Sequence, residues 1–321
     1  MKKADLKKVL LAALLLCVCT SVLGQPYPAK PVRVVVPFPA AGVTDIVARL
    51  VGARLSESWG QPVVVENRSG AGGNIGVVAV ARSAPDGYSL LMTSSSIAVN
   101  MSLNAHPGYD LLKDFVPVIN VASSPNMIIT QPTGPASLRE LIEQSRKAGL
   151  IYGSAGAGTT PHLTAEYLFK NLAGLAVTHV PYKGAAPAVN AALAGEVIAV
   201  SVAMPTAVPH LRSGKLRGLA ITSRRRNEAV PDVPTVEELG FPGFEDITWV
   251  GIFVPAGTPQ AIVSKLNADV NAFLVLPDSR ERLASLAFDS VGGTPESFSS
   301  YLKTEVAKWA KVIRETGAKI E

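Results

Sequence analysis

Cysteine is nearly absent from this 321-residue chain: the only two, Cys17 and Cys19, lie within the first 24 residues. A disulfide scaffold and a cysteine metal site are therefore excluded for the rest of the chain. Charged residues are also scarce, at 17%, whereas 48% of residues are hydrophobic. This composition excludes a disordered protein, and the length favours two domains or one large one.

The first 24 residues have the three parts of a secretory signal peptide. Four lysines precede an apolar run over residues 9–18, and Val22 and Gly24 are the small residues that a cleavage site needs. The apolar run is shorter than a membrane span. Cleavage after Gly24 removes four lysines, one aspartate and both cysteines, and lowers the net charge from +5 to +2. We therefore expect a soluble protein outside the inner membrane, with no nucleic-acid partner.

Short β-rich runs alternate with amphipathic helical stretches after the signal peptide. Several runs are apolar without a period of two, which is typical of strands buried on both faces of a parallel sheet. The pattern predicts an α/β fold of two units. The predicted strands are Val32–Val36, Val63–Glu66, Ser89–Thr93, Met127–Thr130, Val177–Val180, Val197–Ala203, Leu216–Thr222 and Trp249–Val254.

Three helices are predicted to open with a Thr-Pro pair, in which the threonine caps the helix and proline takes the first helical position. These pairs begin at Thr160, Thr258 and Thr294. The last helix is expected to stop at Gly317, since glycine readily ends a helix in the left-handed conformation.

Four polar, glycine-rich segments follow predicted strands, at residues 37–45, 67–74, 93–96 and 153–160. Ligands in open α/β sheets bind at the carboxyl ends of strands, where such loops gather. Small residues let a ligand approach the backbone, and the helix that follows presents free N–H groups to an anion. Further donors would come from the hydroxyls of Ser94, Ser96, Ser154, Thr159 and Thr160. The segments predict a site for a carboxylate or a similar oxyanion.

Each of these residues also has a simpler structural explanation. Thr44, Asp45 and Thr160 are placed to act only as helix caps, and Gly42, Gly72 and Gly158 to satisfy turn dihedrals. His162 is more typical of a surface or hydrogen-bonded histidine than of a catalytic one. The histidines have no metal-ligand spacing, and Ile75 replaces the third glycine of a dinucleotide loop, so neither a metal nor a cofactor is predicted.

A serine hydrolase is an alternative that would use Ser154 and His162. The segment Gly153-Ser154-Ala155-Gly156 lacks the spacing of a nucleophile elbow. A serine-rich site with few ionisable groups holds an anion but transfers protons poorly. The sequence therefore favours binding over catalysis.

The same segments resemble the periplasmic solute receptors of the tripartite tricarboxylate transporter family, the Bug-type receptors. The resemblance extends from Tyr27 to the C-terminal helix, and its specificity lies in the order of many short motifs. The matching stretches lie at residues 36–45, 66–76, 85–91, 152–159, 179–184, 231–236 and 255–259.

The resemblance implies a periplasmic binding protein of the type II kind, with two lobes that close around a small solute, each a mostly parallel sheet flanked by helices. Lobe 1 would comprise residues 25–123 plus 250–321, and lobe 2 residues 124–249. The hinge would lie near 122–130 and 249–254. The ligand-binding residues it implies are Phe38, Ala40, Ala41, Gly42, Thr44, Asp45, Asn67, Ser94, Ser96, Ser154, Gly156, Gly158, Thr159, Thr160, His162 and Ala203.

Two positions depart from the family pattern. Ala41 stands where relatives commonly carry glycine, which would shift the loop if the position needs an unusual dihedral. Relatives often carry Asp-Asn where this chain has Val202-Ala203-Met204. An amino-acid ligand, whose ammonium would need a carboxylate there, is therefore not expected. We hypothesise that the ligand is an aromatic or a short aliphatic carboxylate.

The function implied is a receptor that binds a small carboxylate and delivers it to a membrane transporter. A ligand-sensing partner of a two-component signalling kinase is the alternative from another class, because it would use the same pocket. The sequence does not identify the carboxylate, and a monomer is the simplest expectation for a receptor that opens and closes.

Overall fold

A computed structural model describes residues 27–319. The predicted signal peptide, with Cys17 and Cys19, lies outside the described residues. The strands are β1 Val32–Val36, β2 Val63–Asn67, β3 Ser89–Ser94, β4 Phe115–Thr130, β5 Leu150–Ser154, β6 Val177–Pro181, β7 Ala199–Ala203, β8 Arg217–Ile221, β9 Ile247–Pro255 and β10 Asp289–Gly292. The helices are α1 Val43–Trp59, α2 Asn74–Ala81, α3 Ser96–Leu103, α4 Leu138–Ala148, α5 Thr160–Glu166, α6 Ala185–Ala194, α7 Met204–Arg212, α8 Gln260–Leu274, α9 Pro277–Ser285 and α10 Pro295–Thr316.

The strands join into one mixed sheet in the order β2-β1-β3-β9-β4-β7-β5-β6, with β8 and β10 also paired to β4. Strand–helix units give parallel pairs at β1–β2, β1–β3, β5–β6 and β5–β7. The pairs made by β4, and that between β3 and β9, are antiparallel. Strands β9 and β10 in the first lobe and β4 in the second run against the strand–helix units, and the other strands of each lobe run in one direction, so each lobe is mostly parallel, as predicted.

Strand β4 joins the two lobes. Its residues 115–125 pair with β9, beside β3, β1 and β2, in the first lobe. Its residues 126–130 pair with β7 and β8 in the second lobe, which also contains β5 and β6. The change of partner falls close to the predicted boundary at residues 123 and 124. The division of the whole chain into 25–123 plus 250–321 and 124–249 stays a prediction.

Each lobe has a hydrophobic core on both faces of its sheet. In β1, Val34 and Val36 belong to one core and Val35 to the other. In β4, Met127 and Ile129 face one core of the second lobe, and Ile128 faces the other. Because side chains alternate between faces along a strand, burial on both sides requires the continuous apolar runs seen in the sequence.

Two strands and most of a third lack a clear sequence signal. Strand β4 begins at Phe115, twelve residues before its predicted start, and Pro117 and Pro125 interrupt the pattern. Its register shifts between Pro117 and Ile119, and proline cannot donate to a neighbouring strand. Strand β5 ends in Gly153-Ser154, which reads as a loop, and β10 has only four residues.

The Thr-Pro pairs start helices, but only one of them caps as predicted. Thr294 accepts a hydrogen bond from the amide of Ser297 and forms a capping box. Residue Thr159, not Thr160, is the N-cap of α5, and Thr258 donates its hydroxyl to the carbonyl of Pro255 at 2.7 Å. Gly317 ends α10 at a φ of 64°, as predicted. Within residues 27–319, no helix is both long and apolar enough to cross a membrane.

Candidate functional site

The loop between β1 and α1 turns at Ala41, whose φ is +62°. Side chains with a Cβ atom are strained in this left-handed region, so the position does need the dihedral that suits glycine. The amide of Ala41 donates to Oδ2 of Asp45 at 2.9 Å. This bond ties the loop to the first turn of α1.

Asp45 and Asn67 support this loop from behind and do not line the cavity described below. The Nδ2 group of Asn67 donates to Oδ1 of Asp45 at 2.9 Å and to the carbonyl of Phe38 at 3.0 Å. Burial raises the pKa of Asp45, but hydrogen bonds from Arg49, the Ala41 amide and Asn67 outweigh it and hold the pKa below its usual value. Both residues, expected to contact the ligand, instead shape the loop.

A cavity with about 570 Å³ of empty space lies between the lobes. None of the side chains that line it is charged. Nine predicted site residues line it: Phe38, Ala40, Gly42, Thr44, Ser94, Ser96, Thr159, Thr160 and Ala203. The first six come from the first lobe and the last three from the second, so both lobes form the wall.

Five helices begin at this cavity: α1, α3, α5, α6 and α7. At none of the five does the N-cap side chain accept a hydrogen bond from the first turn, and the one side-chain contact to a first-turn amide is the 3.5 Å contact of the Ser96 amide with the Ser94 hydroxyl. The first N–H groups of a helix have no partner within the helix and carry partial positive charge. Helix starts from both lobes thus present N–H groups to one shared space, and N–H groups arranged in this way can hold an anion.

Thr44 and Thr160 line this space as well, so capping alone does not describe them. The N-cap residues of α1 and α5 are Gly42 and Thr159. The Thr160 hydroxyl lies 3.0 Å from that of Ser95 and 2.8 Å from that of Thr248, and thereby joins the lobes.

The loop between β5 and α5, residues 155–159, is called the second-lobe loop. Ser154 and His162 lie beneath it and do not line the cavity. The Ser154 hydroxyl is fully buried and lies 2.7 Å from Nε2 of His179, whose ring stacks on His162. Burial lowers the pKa of His162 to about 4. Burial, and then the neighbouring His162, lower that of His179 to about 3. The hydrogen-bond partner of Ser154 is therefore His179 rather than His162. Ser154 and the two stacked histidines together support the second-lobe loop.

The two glycines of this loop have different surroundings. Gly156 lines an adjoining cavity, which shares Phe38, Pro39 and Thr159 with the first. Gly158 has a φ of 78°, and a Cβ there would lie 2.8 Å from Oδ1 of Asn100 in the first lobe. Gly158 is therefore required both by its dihedral and by the close approach of the lobes.

Nine residues of the cavity wall are not among the predicted site residues. Four of them, Gly184 to Pro187, start α6 directly after β6, in the same strand-to-helix arrangement as the predicted loops. The sequence therefore contained a signal that could have identified these four residues. Pro39, Val43 and Ala155 lie inside the predicted segments 37–45 and 153–160, and Pro161 directly follows the second. Thr248 carried no signal, because it lies inside β9. Within residues 27–319, no group of three or more potential ligand side chains is placed to hold a metal ion.

Two lobes around an uncharged cavity lined by helix starts define a solute-binding protein of the periplasmic type. The model of the "Tripartite tricarboxylate transporter family receptor" matches residues 47–318, and the chain belongs to this family. It is 41% identical over 322 residues to Protein BugT of Bordetella pertussis, covering 97% of this chain and 98% of that protein.

Solved structures show the same relationship. An R. palustris protein solved with adipate is 37% identical, with a TM-score of 0.88 over 92% of this chain and 100% of that one. MatC from Rhodopseudomonas palustris, with bound malate, is 34% identical, with a TM-score of 0.85 over 89% of this chain and 100% of that one. The periplasmic binding protein BugD is 36% identical, with a TM-score of 0.86 and the same respective coverage as the adipate protein.

Proposed function

We propose that the protein binds a small carboxylate in the cavity between its lobes and delivers it to the membrane subunits of a tripartite tricarboxylate transporter. The observation that carries the proposal is the set of five uncapped helix starts around a cavity without charged side chains. Helix N-termini hold a carboxylate through hydrogen bonds and partial charge. The relatives with bound adipate and malate support the same ligand class.

The proposed solute is a carboxylic acid without an ammonium group. An ammonium would need a carboxylate partner, but no acidic side chain lines the cavity and Asp45 is occupied by Arg49 behind the loop. Phe38, Ala185, Pro187 and Ala203 give part of the wall an apolar character that suits a short carbon chain.

Binding without catalysis is also part of the proposal. Ser154 is fully buried, and its hydroxyl is within hydrogen-bonding distance of His179 and the Gly156 carbonyl. A nucleophile needs access to its substrate, and this hydroxyl does not reach the cavity wall. Export through cleavage of residues 1–24 would place the protein in the periplasm, where the family's receptors work.

Thermal unfolding of the purified protein with mono-, di- and tricarboxylates, amino acids and aromatic acids tests this proposal. The protein is first unfolded and refolded to remove bound solute. Ligand at 100 times its Kd stabilises the folded state by about 2.7 kcal/mol, which visibly raises the midpoint. We expect one or a few acids to raise it and amino acids not to. A panel in which amino acids alone act would contradict the proposal.

A further inference from the structure

Six polar side chains form one continuous hydrogen-bond chain from the cavity to the C-terminal helix. Ser95 contacts Thr160 at 3.0 Å, Thr160 contacts Thr248 at 2.8 Å, and Thr248 contacts Oδ1 of Asn126 at 2.8 Å. The Nδ2 group of Asn126 donates to Oδ2 of Asp246 at 2.6 Å. Nζ of Lys308, on α10, lies 3.3 Å from the other oxygen of Asp246. We call these six residues the hinge chain.

The Asp246 carboxylate fixes the orientation of the Asn126 amide. A carboxylate only accepts hydrogen bonds, so Asn126 must turn its NH₂ group towards it. The opposite orientation would place two oxygen atoms 2.6 Å apart in a buried site. Oδ1 of Asn126 consequently faces Thr248 and can only accept.

The direction of each remaining hydrogen bond follows in turn. A hydroxyl has one hydrogen to donate, and that of Thr248 goes to Asn126. The hydrogen between Thr248 and Thr160 must therefore come from Thr160, and the one between Thr160 and Ser95 from Ser95. Any other assignment leaves a buried oxygen pair at hydrogen-bonding distance with no hydrogen between them, which is costly.

We infer that Thr160 and Thr248, although they line the cavity, face the solute only as hydrogen-bond acceptors. This inference rests on the proposed function. Thr159, the other hydroxyl besides Thr160 that the second lobe places on the wall, donates to the carbonyl of Gly156 at 2.7 Å. The second lobe therefore offers a carboxylate its backbone N–H groups but no side-chain hydroxyl hydrogen.

The hydroxyl donors for the carboxylate consequently lie on the first lobe. The Thr44 side chain makes no hydrogen bond to another of the described residues, and its hydrogen is available to the solute. Ser94 and Ser96 contact each other at 3.2 Å, an interaction that uses one of their two hydroxyl hydrogens. The hinge chain thus contributes to specificity. Thr44 and the Ser94–Ser96 pair can donate to a hydrogen-bond acceptor of the solute, such as a carboxylate oxygen, whereas Thr160 and Thr248 cannot.

Neutron diffraction from crystals grown in D₂O tests the inference without any ligand. We expect the deuteron of Thr160 on the line to Thr248, that of Thr248 on the line to Asn126, and that of Ser95 on the line to Thr160. A Thr160 or Thr248 deuteron directed into the cavity overturns the inference. If no acid binds in the unfolding panel, the proposed function fails while the deuteron positions still decide this point.

Discussion

The imidazole rings of His162 and His179 stack in parallel beneath the second-lobe loop, with centroids 3.9 Å apart and an interplanar angle of 17°. Nδ1 of His162 accepts from the amide of Gly158 at 3.4 Å, and His179 contacts Ser154. Both rings are neutral near pH 7, because burial lowers the pKa of each of them well below that value. The loop at the cavity therefore rests on two uncharged histidines.

This stacking predicts that the protein loses stability in acid. Burial lowers the pKa of His162 to about 4, and burial with the neighbouring ring lowers that of His179 to about 3. In the unfolded chain both take up protons below about pH 6.5. Their contribution to stability is therefore complete above pH 6.5 and is lost as the pH falls towards 4. Urea unfolding across this range should show the loss, and H162Q and H179Q should flatten it. H106Q changes an exposed histidine and is the control. If the free energy of unfolding falls equally steeply with pH in all variants, the loss does not come from His162 and His179.

The variants A41G and A40G should have opposite effects on stability. Ala41 has a φ of +62°, so glycine there relieves a strain on the order of 1 kcal/mol, more than the entropy it adds to the unfolded chain. Its exposed neighbour Ala40 has no positive φ, and glycine there should destabilise by roughly 0.5–1 kcal/mol. Free energies of unfolding from chemical denaturation check the pair. Destabilisation by A41G would show that the loop is not strained at this residue.

Ala203 offers a test of the cavity by charge. It lines the cavity at the start of α7 and is only 4% exposed. In A203D, a carboxylate would occupy the uncapped helix start and repel an acidic solute, so we expect at least a tenfold loss of affinity for the acid found in the panel. A203N has nearly the same shape without the charge. Titration calorimetry of both variants separates the effect of the charge from the effect of side-chain size. Equal losses of affinity in A203D and A203N would place the solute's carboxylate away from residue 203.

The division of donors between the lobes predicts unequal effects of hydroxyl removal. A hydrogen bond to a charged group contributes about 1.5–3 kcal/mol, so T44V and S96A should each weaken acid binding by roughly 10- to 100-fold. T159V should cost less, because the Thr159 hydrogen is already donated to the Gly156 carbonyl. Calorimetry with one acid and all three variants provides the comparison. A larger loss in T159V than in T44V would contradict this division.

The sequence predicted the loops that face the cavity better than it predicted the contacts within them. Glycine-rich segments after strands located both main loops, and six first-lobe residues and three second-lobe residues among those predicted lie on the cavity wall. Asp45, Asn67 and Ser154 lie in the same segments but point away from the cavity. A segment's composition locates a loop, whereas the direction of each side chain depends on the dihedrals of the turn and on distant partners such as Arg49 and His179.

The sequence by itself determined the α/β class, the strands buried on both faces and the helix starts, because these follow from local periodicity and from the special conformations of glycine and proline. The tertiary structure alone decided how residues far apart in the chain meet. Thr160 and Thr248 are 88 residues apart, and Asn126 and Asp246 are 120 residues apart. Hydrogen bonds have direction only once both partners are in place, so the arrangement of donors and acceptors around the cavity is a property of the folded protein.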